Sequence, residues 1–207
     1  MNTKQQDDLN HIRSMMERSS RFISLSGLSG VFAGLSALIG GTYVYFLFRQ
    51  HGIEYISNEA RVYSASLIIE LFLIAALIFV AAISFGIFFT VRKSKKNGLP
   101  IWTSATKNLL LNLMIPLLVG GVFCLALIAH HQVAFVAPAT LIFYGLALIN
   151  AEKYTLSDIK YLGFCEVIVG CIASFFLGKG LFFWMFGFGV LHIFYAANVQ
   201  KIQIEPQ

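Results

Sequence analysis

Three ionisable side chains, Glu70, Glu166 and His192, fall inside long apolar stretches of this chain. Placing such a group in lipid costs about 2.5–3.5 kcal/mol on insertion scales, so each is a candidate for proton binding, ion pairing or a structural hydrogen bond. Glu166 lies six residues past Lys160, and His192 lies six residues before Asn198. In an antiparallel helix pair joined at Gly178–Gly180, those equal distances bring carboxyl and imidazole to one level. Gly163, Val167, Gly170 and Ser174 form a narrow stripe beside Glu166, and Gly189, His192 and Ala196 form another. Small residues mark where membrane helices touch, so both polar groups are expected to face inward. Asn112, Tyr144 and Asn150 fall in the same half and are expected to complete a polar cluster.

A carboxylate beside an imidazole favours the charged form of each, while burial opposes it. Two readings follow for the pair. It is a hydrogen-bonded clamp between the last two helices, the simpler reading, or it binds and releases protons in a transporter or pH-responsive switch. Glu70 belongs to the opposite half, where Tyr63, Ser66, Ala81 and Ser84 share its face; it is expected to look inward and make a structural hydrogen bond.

Other chemistries fail on motif grounds. His130 and His131 are adjacent, yet no third ligand stands at metal spacing, so no metal site and no cofactor is expected. Cys124, Cys165 and Cys171 show neither C-x-x-C spacing nor a His partner; they read as packing residues. No G-x-S-x-G elbow, H-E-x-x-H, P-loop or dinucleotide fingerprint occurs, which counts against an enzyme.

The elements that must position these residues are six apolar stretches, at about 23–48, 65–91, 108–129, 133–150, 161–177 and 181–198. Crossing a hydrocarbon core of roughly 30 Å takes about 20 helical residues, and a backbone in lipid must bond to itself. The chain of 207 residues is 57% hydrophobic and only 12% charged, with a mean hydropathy of +0.75, outside the range of a soluble domain. The first stretch follows some 22 polar residues without a short core and A-x-A site, so it reads as a retained helix.

With the amino terminus inside, Lys4, Arg13, Arg18, Arg21, Arg92, Lys93, Lys95, Lys96, Lys107, Lys153, Lys160 and Lys201 are cytoplasmic. Arg49, Arg61 and Lys179 are the only cations left outside, twelve against three of the fifteen. That asymmetry is an orientation signal, with the lipid headgroups as its partners. It removes the nucleic-acid reading of a pI near 9.2, since no basic face interleaved with aromatics accompanies it.

Residues 1–22 carry Leu9, Ile12, Met16 and Ile23 at helical spacing among charges, the pattern of an amphipathic helix on the inner leaflet. The first span places Ser26, Gly30 and Gly34 on one line and Ala33, Ala37 and Gly41 on a second. Such lines admit another helix, within the molecule or from a second copy in a homo-oligomer. Pro116 and Pro138 are each expected to bend a span, with a neighbour re-satisfying the freed carbonyl. His130–Gln132 and Gly178–Gly180 leave room only for tight antiparallel hairpins, and the two hairpins look alike enough to suggest a duplication.

The segments I-R-S-M-M-E-R-S-S-R-F-I-S-L-S-G-L-S-G-V-F-A-G at 12–34, I-P-L-L-V-G-G-V-F-C at 115–124 and A-P-A-T-L-I-F-Y-G-L-A-L-I-N-A-E-K-Y-T-L-S-D-I-K-Y-L-G at 137–163 carry a resemblance. Together they resemble an uncharacterised family of multi-pass inner-membrane proteins of Bacteroidetes-type bacteria. The glycine-punctuated hairpins also resemble acid-resistance membrane proteins of the HdeD type. The likeness implies a bacterial inner-membrane location and carries no catalytic residue.

The expected fold is therefore all-α, a six-transmembrane-helix bundle over 23–199, with an interfacial segment at 1–22, a tail at 200–207, and both termini cytoplasmic. Three functions compete: a non-enzymatic scaffold or modulator, which leads; a small proton-linked transporter, channel or pH-responsive protein using Glu166 and His192; and a lipid-acting enzyme.

Overall fold

The computed structural model describes residues 27–53, 63–155 and 158–204, with side chains placed as far as residue 198. The expected amphipathic segment at 1–22, Ser26 of the first glycine line, and the last residues of the tail lie outside the described residues. All regular structure among the described residues is helical: α1 (Gly27–Gln50), α2 (Ala65–Lys96), α3 (Ser104–Ala129), α4 (Val136–Ala151), α5 (Ile159–Phe175), and a last rod. That rod runs without interruption through α6 (Gly180–Trp184), a π-helical segment (Met185–Leu191) and α7 (His192–Ile204).

Local chemistry sets the ends of these helices. Ser64 caps α2 by accepting from the Leu67 N–H at 3.3 Å, and Thr103 forms a reciprocal capping box with Thr106 at the start of α3. Three helices end in one pattern, in which the two N–H groups past the cap fold back on the last turn. Gly52 and Ile53 donate to the Arg49 and Phe48 carbonyls; Gly98 and Leu99 donate to those of Lys95 and Ser94. Both glycines have positive φ, 68° and 63°, which a side chain resists. At the end of α3, His131 takes the same position at φ 58°, so this residue of the His pair serves a turn.

Among the described residues, five helical stretches are long and apolar enough to cross a membrane: Gly27–Gln50, Ala65–Lys96, Ser104–Ala129, Val133–Tyr154 and Leu177–Asn198. The fifth expected span, 161–177, is shorter than the others. It forms a helix of 17 residues, about 25 Å long at about 1.5 Å per residue, against a hydrocarbon core of roughly 30 Å. The reason is local: Phe176 leaves helical geometry, and Leu177–Lys179 tightens into a 3₁₀ turn. Even so, α5 carries the chain back along α4. The start of the last rod, Gly180, lies beside Ala134 and Ala137 at the start of α4.

Neighbouring helices alternate in direction. One end of the bundle therefore collects the ends of α2, α4 and α7 with the starts of α1, α3 and α5. Of the described cations, Arg92, Lys93, Lys95, Lys96, Lys107, Lys153, Lys160 and Lys201 belong to this basic end; Arg49 and Lys179 belong to the other.

Glycines decide which helices meet. A Cβ on Gly163 would stand 2.7 Å from the Gly145 carbonyl oxygen, and one on Gly145 would stand 2.5 Å from that of Gly163. Here α4 and α5 touch backbone to backbone, as small residues permit in membranes. The Gly163/Gly170 stripe, expected to mark a helix contact, faces α4, with Gly170 against Ile142. The last rod packs chiefly on α1, where a Cβ on Gly30 would meet that of Ala196 at 3.0 Å and one on Gly34 would meet the Gly189 carbonyl at 2.7 Å. Spans five and six do meet, through Glu166 against His192 and Gly187, but the closest backbone approaches are α4–α5 and α1 with the last rod.

Two helices stand at the margin. α2 buries only Leu67 and Ser94 and leans on α1 through Ile78 and the Phe32–Phe85–Phe89 aromatic cluster. It leaves Phe72, Leu77, Val80 and Phe88 exposed. α3 leans on α4 and exposes Leu111, Leu118 and Val122. Contiguous apolar surface on this scale needs an apolar solvent or a partner.

The prolines behave differently from each other. Pro138 occupies the first turn of α4, where its missing N–H costs nothing, so the expected mid-helix bend is not needed there. Pro116 is inside α3 and leaves the Asn112 carbonyl without its helical donor. Asn150 of α4 supplies one: its Nδ2 donates to that carbonyl at 2.8 Å.

Candidate functional site

The side chains that meet near mid-bundle come from three elements. Glu166 on α5 is fully buried, at 0% exposure, and His192 at the start of α7 is 7% exposed. The His192 Nδ1 stands 3.3 Å from Glu166 Oε1 and 3.1 Å from the Gly187 carbonyl, which lies in the π-helical segment. On the other ring edge, Nε2 is 2.8 Å from the Tyr144 hydroxyl of α4.

One tautomer satisfies both ring contacts. With Nδ1–H directed at the Gly187 carbonyl, Nε2 is left as an acceptor for the Tyr144 O–H. The Glu166 carboxyl is then close enough to be a counter-ion yet receives no hydrogen bond. Apart from that ion-pair approach of His192, neither of its oxygens has a hydrogen-bond partner among the described residues. An orphaned buried polar group costs about 1–3 kcal/mol, more if charged, so it demands an explanation beyond packing. A second proton on the imidazole would turn both ring nitrogens into donors, with Glu166 Oε1 the nearest anion.

The π-helical segment is what makes the approach feasible. A wider i→i+5 turn is rare, and such turns occur often at functional sites. Gly187 gives the carboxyl its room: a Cβ there would stand 2.5 Å from Glu166 Oε2 and would also run into Leu141. Two positions on, Gly189 faces the opposite way and admits Leu38 of α1. The imidazole is held by rings on two sides, with Tyr144 at 5.3 Å and Phe188 stacked at 5.9 Å between centroids.

On the side of His192 away from Glu166 lies a half-open cleft of about 230 Å³. Gly30 and Ala33 of α1, Ala82, Gly86 and Thr90 of α2, and Tyr144, His192 and Tyr195 line it. The Tyr195 hydroxyl is buried without a hydrogen-bond partner among the described residues. The cleft lies between α2 on one wall and Tyr144 of α4 with Ile159 and Leu162 of α5 on another.

The other expected site residues stand elsewhere. Asn112 and Asn150 bond across α3 and α4, with Asn112 Nδ2 donating to the Asn108 carbonyl at 2.8 Å, so both serve the proline gap and neither joins Glu166. Asn150 is six residues past Tyr144, about 240° around the helix, which turns it away from the cluster. Glu70 is half-buried at the edge of the face that packs on α1, and no hydrogen bond of its side chain occurs among the described residues; Ser66 and Ser84, expected on an inward face, are exposed. Gly30 and Gly34 are occupied by α7 and the π-helical segment. No group of three or more His, Cys, Asp or Glu capable of holding a metal occurs among the described residues. The cysteines are unpaired, with Cys165 and Cys171 exposed on α5.

Sequence reasoning passed over Gly187, Phe188 and Tyr195. The two glycines in M-F-G-F-G-V-L, spaced by two inside a helix, were the available signal. No protein-family model, no curated protein and no solved structure matches this chain.

Proposed function

We propose that this chain is an integral membrane protein of six crossings, in a bacterial inner membrane with both termini cytoplasmic. Within it, Glu166 and His192 bind and release a proton as part of a proton-linked or pH-responsive function. The observation that carries this reading is the Glu166 carboxyl, wholly buried, 3.3 Å from His192 Nδ1, and accepting no hydrogen bond among the described residues. A clamp would use its oxygens to bond; these oxygens are close to a titratable ring and otherwise idle. An ionisable residue kept at that cost in a membrane interior belongs to ion or proton pathways more often than to structure.

Several features support the membrane frame. The apolar windows of α2 and α3 are almost wholly unburied, and eight described cations gather at one end against two at the other. That asymmetry favours the basic end as cytoplasmic. The short α5 counts as a crossing because it connects the end of α4 to a rod that begins beside the start of α4. Its length lies at the lower limit for a span.

His192 supplies the chemistry. Its Nε2 faces the cleft through Tyr144, and its Nδ1 faces Glu166, so a proton taken up on one edge can leave from the other. One proton added to a carboxylate beside a neutral imidazole changes the pair's net charge from −1 to zero. A scaffold working through Gly30 and Gly34 would first have to displace α7, which makes that reading weaker.

The test is difference infrared spectroscopy of the protein in lipid, titrated across neutral pH. Wild type gives a protonated-carboxyl or paired-carboxylate band that changes with pH and disappears in Glu166→Gln, and that shifts in His192→Ala. A titration of the carboxyl region identical in wild type and Glu166→Gln refutes the reading.

A further inference from the structure

We infer that the half-open cleft beside His192 binds a small lipophilic organic cation, a quaternary or protonated amine with an aromatic or alkyl body, in competition with the proton of the Glu166–His192 pair. The inference rests on the proton-binding reading above and adds the ligand class to it.

Size comes first. A cavity of about 150 Å³ holds a benzene. The cleft of about 230 Å³ therefore admits a substituted ring or a short branched chain, and its open side lets a longer body protrude. Its walls are mostly apolar, from Gly30, Ala33, Ala82 and Leu162, with the hydroxyls of Ser29 and Thr90, the two phenols and the imidazole as the polar minority. Such a wall accepts an amphiphile that arrives through lipid, along the cleft between α2 and the α4 and α5 wall.

Charge selects the sign. No Lys or Arg lines the cleft. The titratable groups lining the cleft beside the pair are Tyr144 from α4 and Tyr195 from α7, and Asp158 at the start of α5 interacts with Tyr195; α1 and the π-helical segment contribute none to the lining. α2 offers Thr90, with Arg92 and Lys93 within a turn of it toward the basic end. With its proton gone, the pair holds one uncompensated negative charge behind an aromatic wall. Aromatic faces attract cations as well, and most strongly where water is excluded. Neutral amphiphiles gain only the apolar contacts, and anions meet the carboxylate.

Competition follows from the charge count. The protonated pair plus the free cation gives the cation bound beside the deprotonated pair, with one proton released. Glu166 does not line the cleft, so the coupling acts through the field across His192 rather than by contact. Raising the pH therefore tightens cation binding, and binding the cation expels the proton.

The experiment uses the full chain in detergent micelles with tritiated benzyltrimethylammonium, whose charge is permanent. Neopentylbenzene, its uncharged isostere, serves as competitor. Binding is read by scintillation proximity at about pH 5 and about pH 8, with proton release followed by a dye in weak buffer. Wild type should bind the cation about tenfold more tightly at the higher pH, release a proton, and be displaced poorly by neopentylbenzene. Glu166→Gln should lose the pH dependence and the release. Gly86→Leu brings a side chain into the cleft from a position where a Cβ meets nothing within 4 Å. It should abolish cation binding while leaving the Glu166 infrared titration intact.

Equal displacement by the isostere would make the cleft a lipid-chain pocket and overturn the inference. So would unchanged binding in Gly86→Leu, proton release that persists in Glu166→Gln, or no binding by wild type whose carboxyl titrates. Wild type with no Glu166-dependent infrared signal would overturn the underlying proton-binding reading instead.

Discussion

Replacing Asn150 by Leu tests how this bundle tolerates a proline in the middle of α3. Pro116 has no N–H, so the Asn112 carbonyl, four residues earlier, lacks its helical donor and takes the Asn150 amide at 2.8 Å instead. Leu matches Asn in the number and branching of its side-chain heavy atoms but is larger, so the exchange removes the donor and adds a packing cost that the cycle below subtracts. An orphaned carbonyl costs about 1–3 kcal/mol, whereas interhelical hydrogen bonds measured in membranes average about 0.6 and reach about 1.7 kcal/mol. The expected loss from the donor is therefore about 1–1.5 kcal/mol, a factor of about 5–12 in the unfolding equilibrium constant at about 1.4 kcal/mol per tenfold. The assay is reversible unfolding in mixed micelles of mild detergent and SDS. The decisive measurement is the cycle with Pro116→Ala, because an alanine at that position returns an N–H to the same carbonyl. In that background Asn150→Leu should cost less by that amount, a difference outside the scatter of about 0.5 kcal/mol for independent sites. Equal costs in the two backgrounds would show that Asn150 stabilises through something other than the proline gap.

Further outcomes follow from the glycine contacts and the charge asymmetry. Gly163→Ala must lengthen its 2.7 Å approach to the Gly145 carbonyl by about 0.7 Å to reach ordinary contact at 3.4 Å; overpacking of this kind costs about 1–3 kcal/mol, or roughly 2–8 °C in thermal midpoint for the smaller part of that range. Gly121→Ala, with nothing within 4 Å, is the control, and equal midpoints for the two would refute the close crossing. Gly34→Leu should lower the midpoint by several degrees by pushing against the Gly189 carbonyl; a shifted oligomer distribution at unchanged stability would instead restore a role for this line in self-association. Reporter tags inserted after Lys96 should lie in the cytoplasm and those after Gln132 outside it; the reverse result would invert the orientation.

Much of the architecture was legible along the chain because lipid imposes a one-dimensional constraint. An apolar run of sufficient length must close its own hydrogen bonds, so the runs read at 23–48, 65–91 and 108–129 mark the helices Gly27–Gln50, Ala65–Lys96 and Ser104–Ala129, whose ends shift by up to five residues with the local caps. The common level of Glu166 and His192 was also accessible, since residues counted along antiparallel helices convert into depth. The choice of partner was not. A stripe such as Gly163 and Gly170 announces that some helix comes close, but any of the other rods satisfies it; only the assembled bundle allots it to α4, and the Gly30 and Gly34 line to α7. The same freedom drew Asn112 and Asn150 to a proline gap, away from the acid they were expected to join.

Composition and spacing alone thus determined a chain of apolar helices with its charges sorted to one end, because each of those properties depends on neighbours in sequence. Tertiary structure alone decided which backbones touch, where the π-helical turn opens room for Glu166 beside Gly187, and that a cleft remains next to His192. Those features depend on distances between residues far apart in the chain, and a helical period repeats every few residues without saying which distant helix it faces.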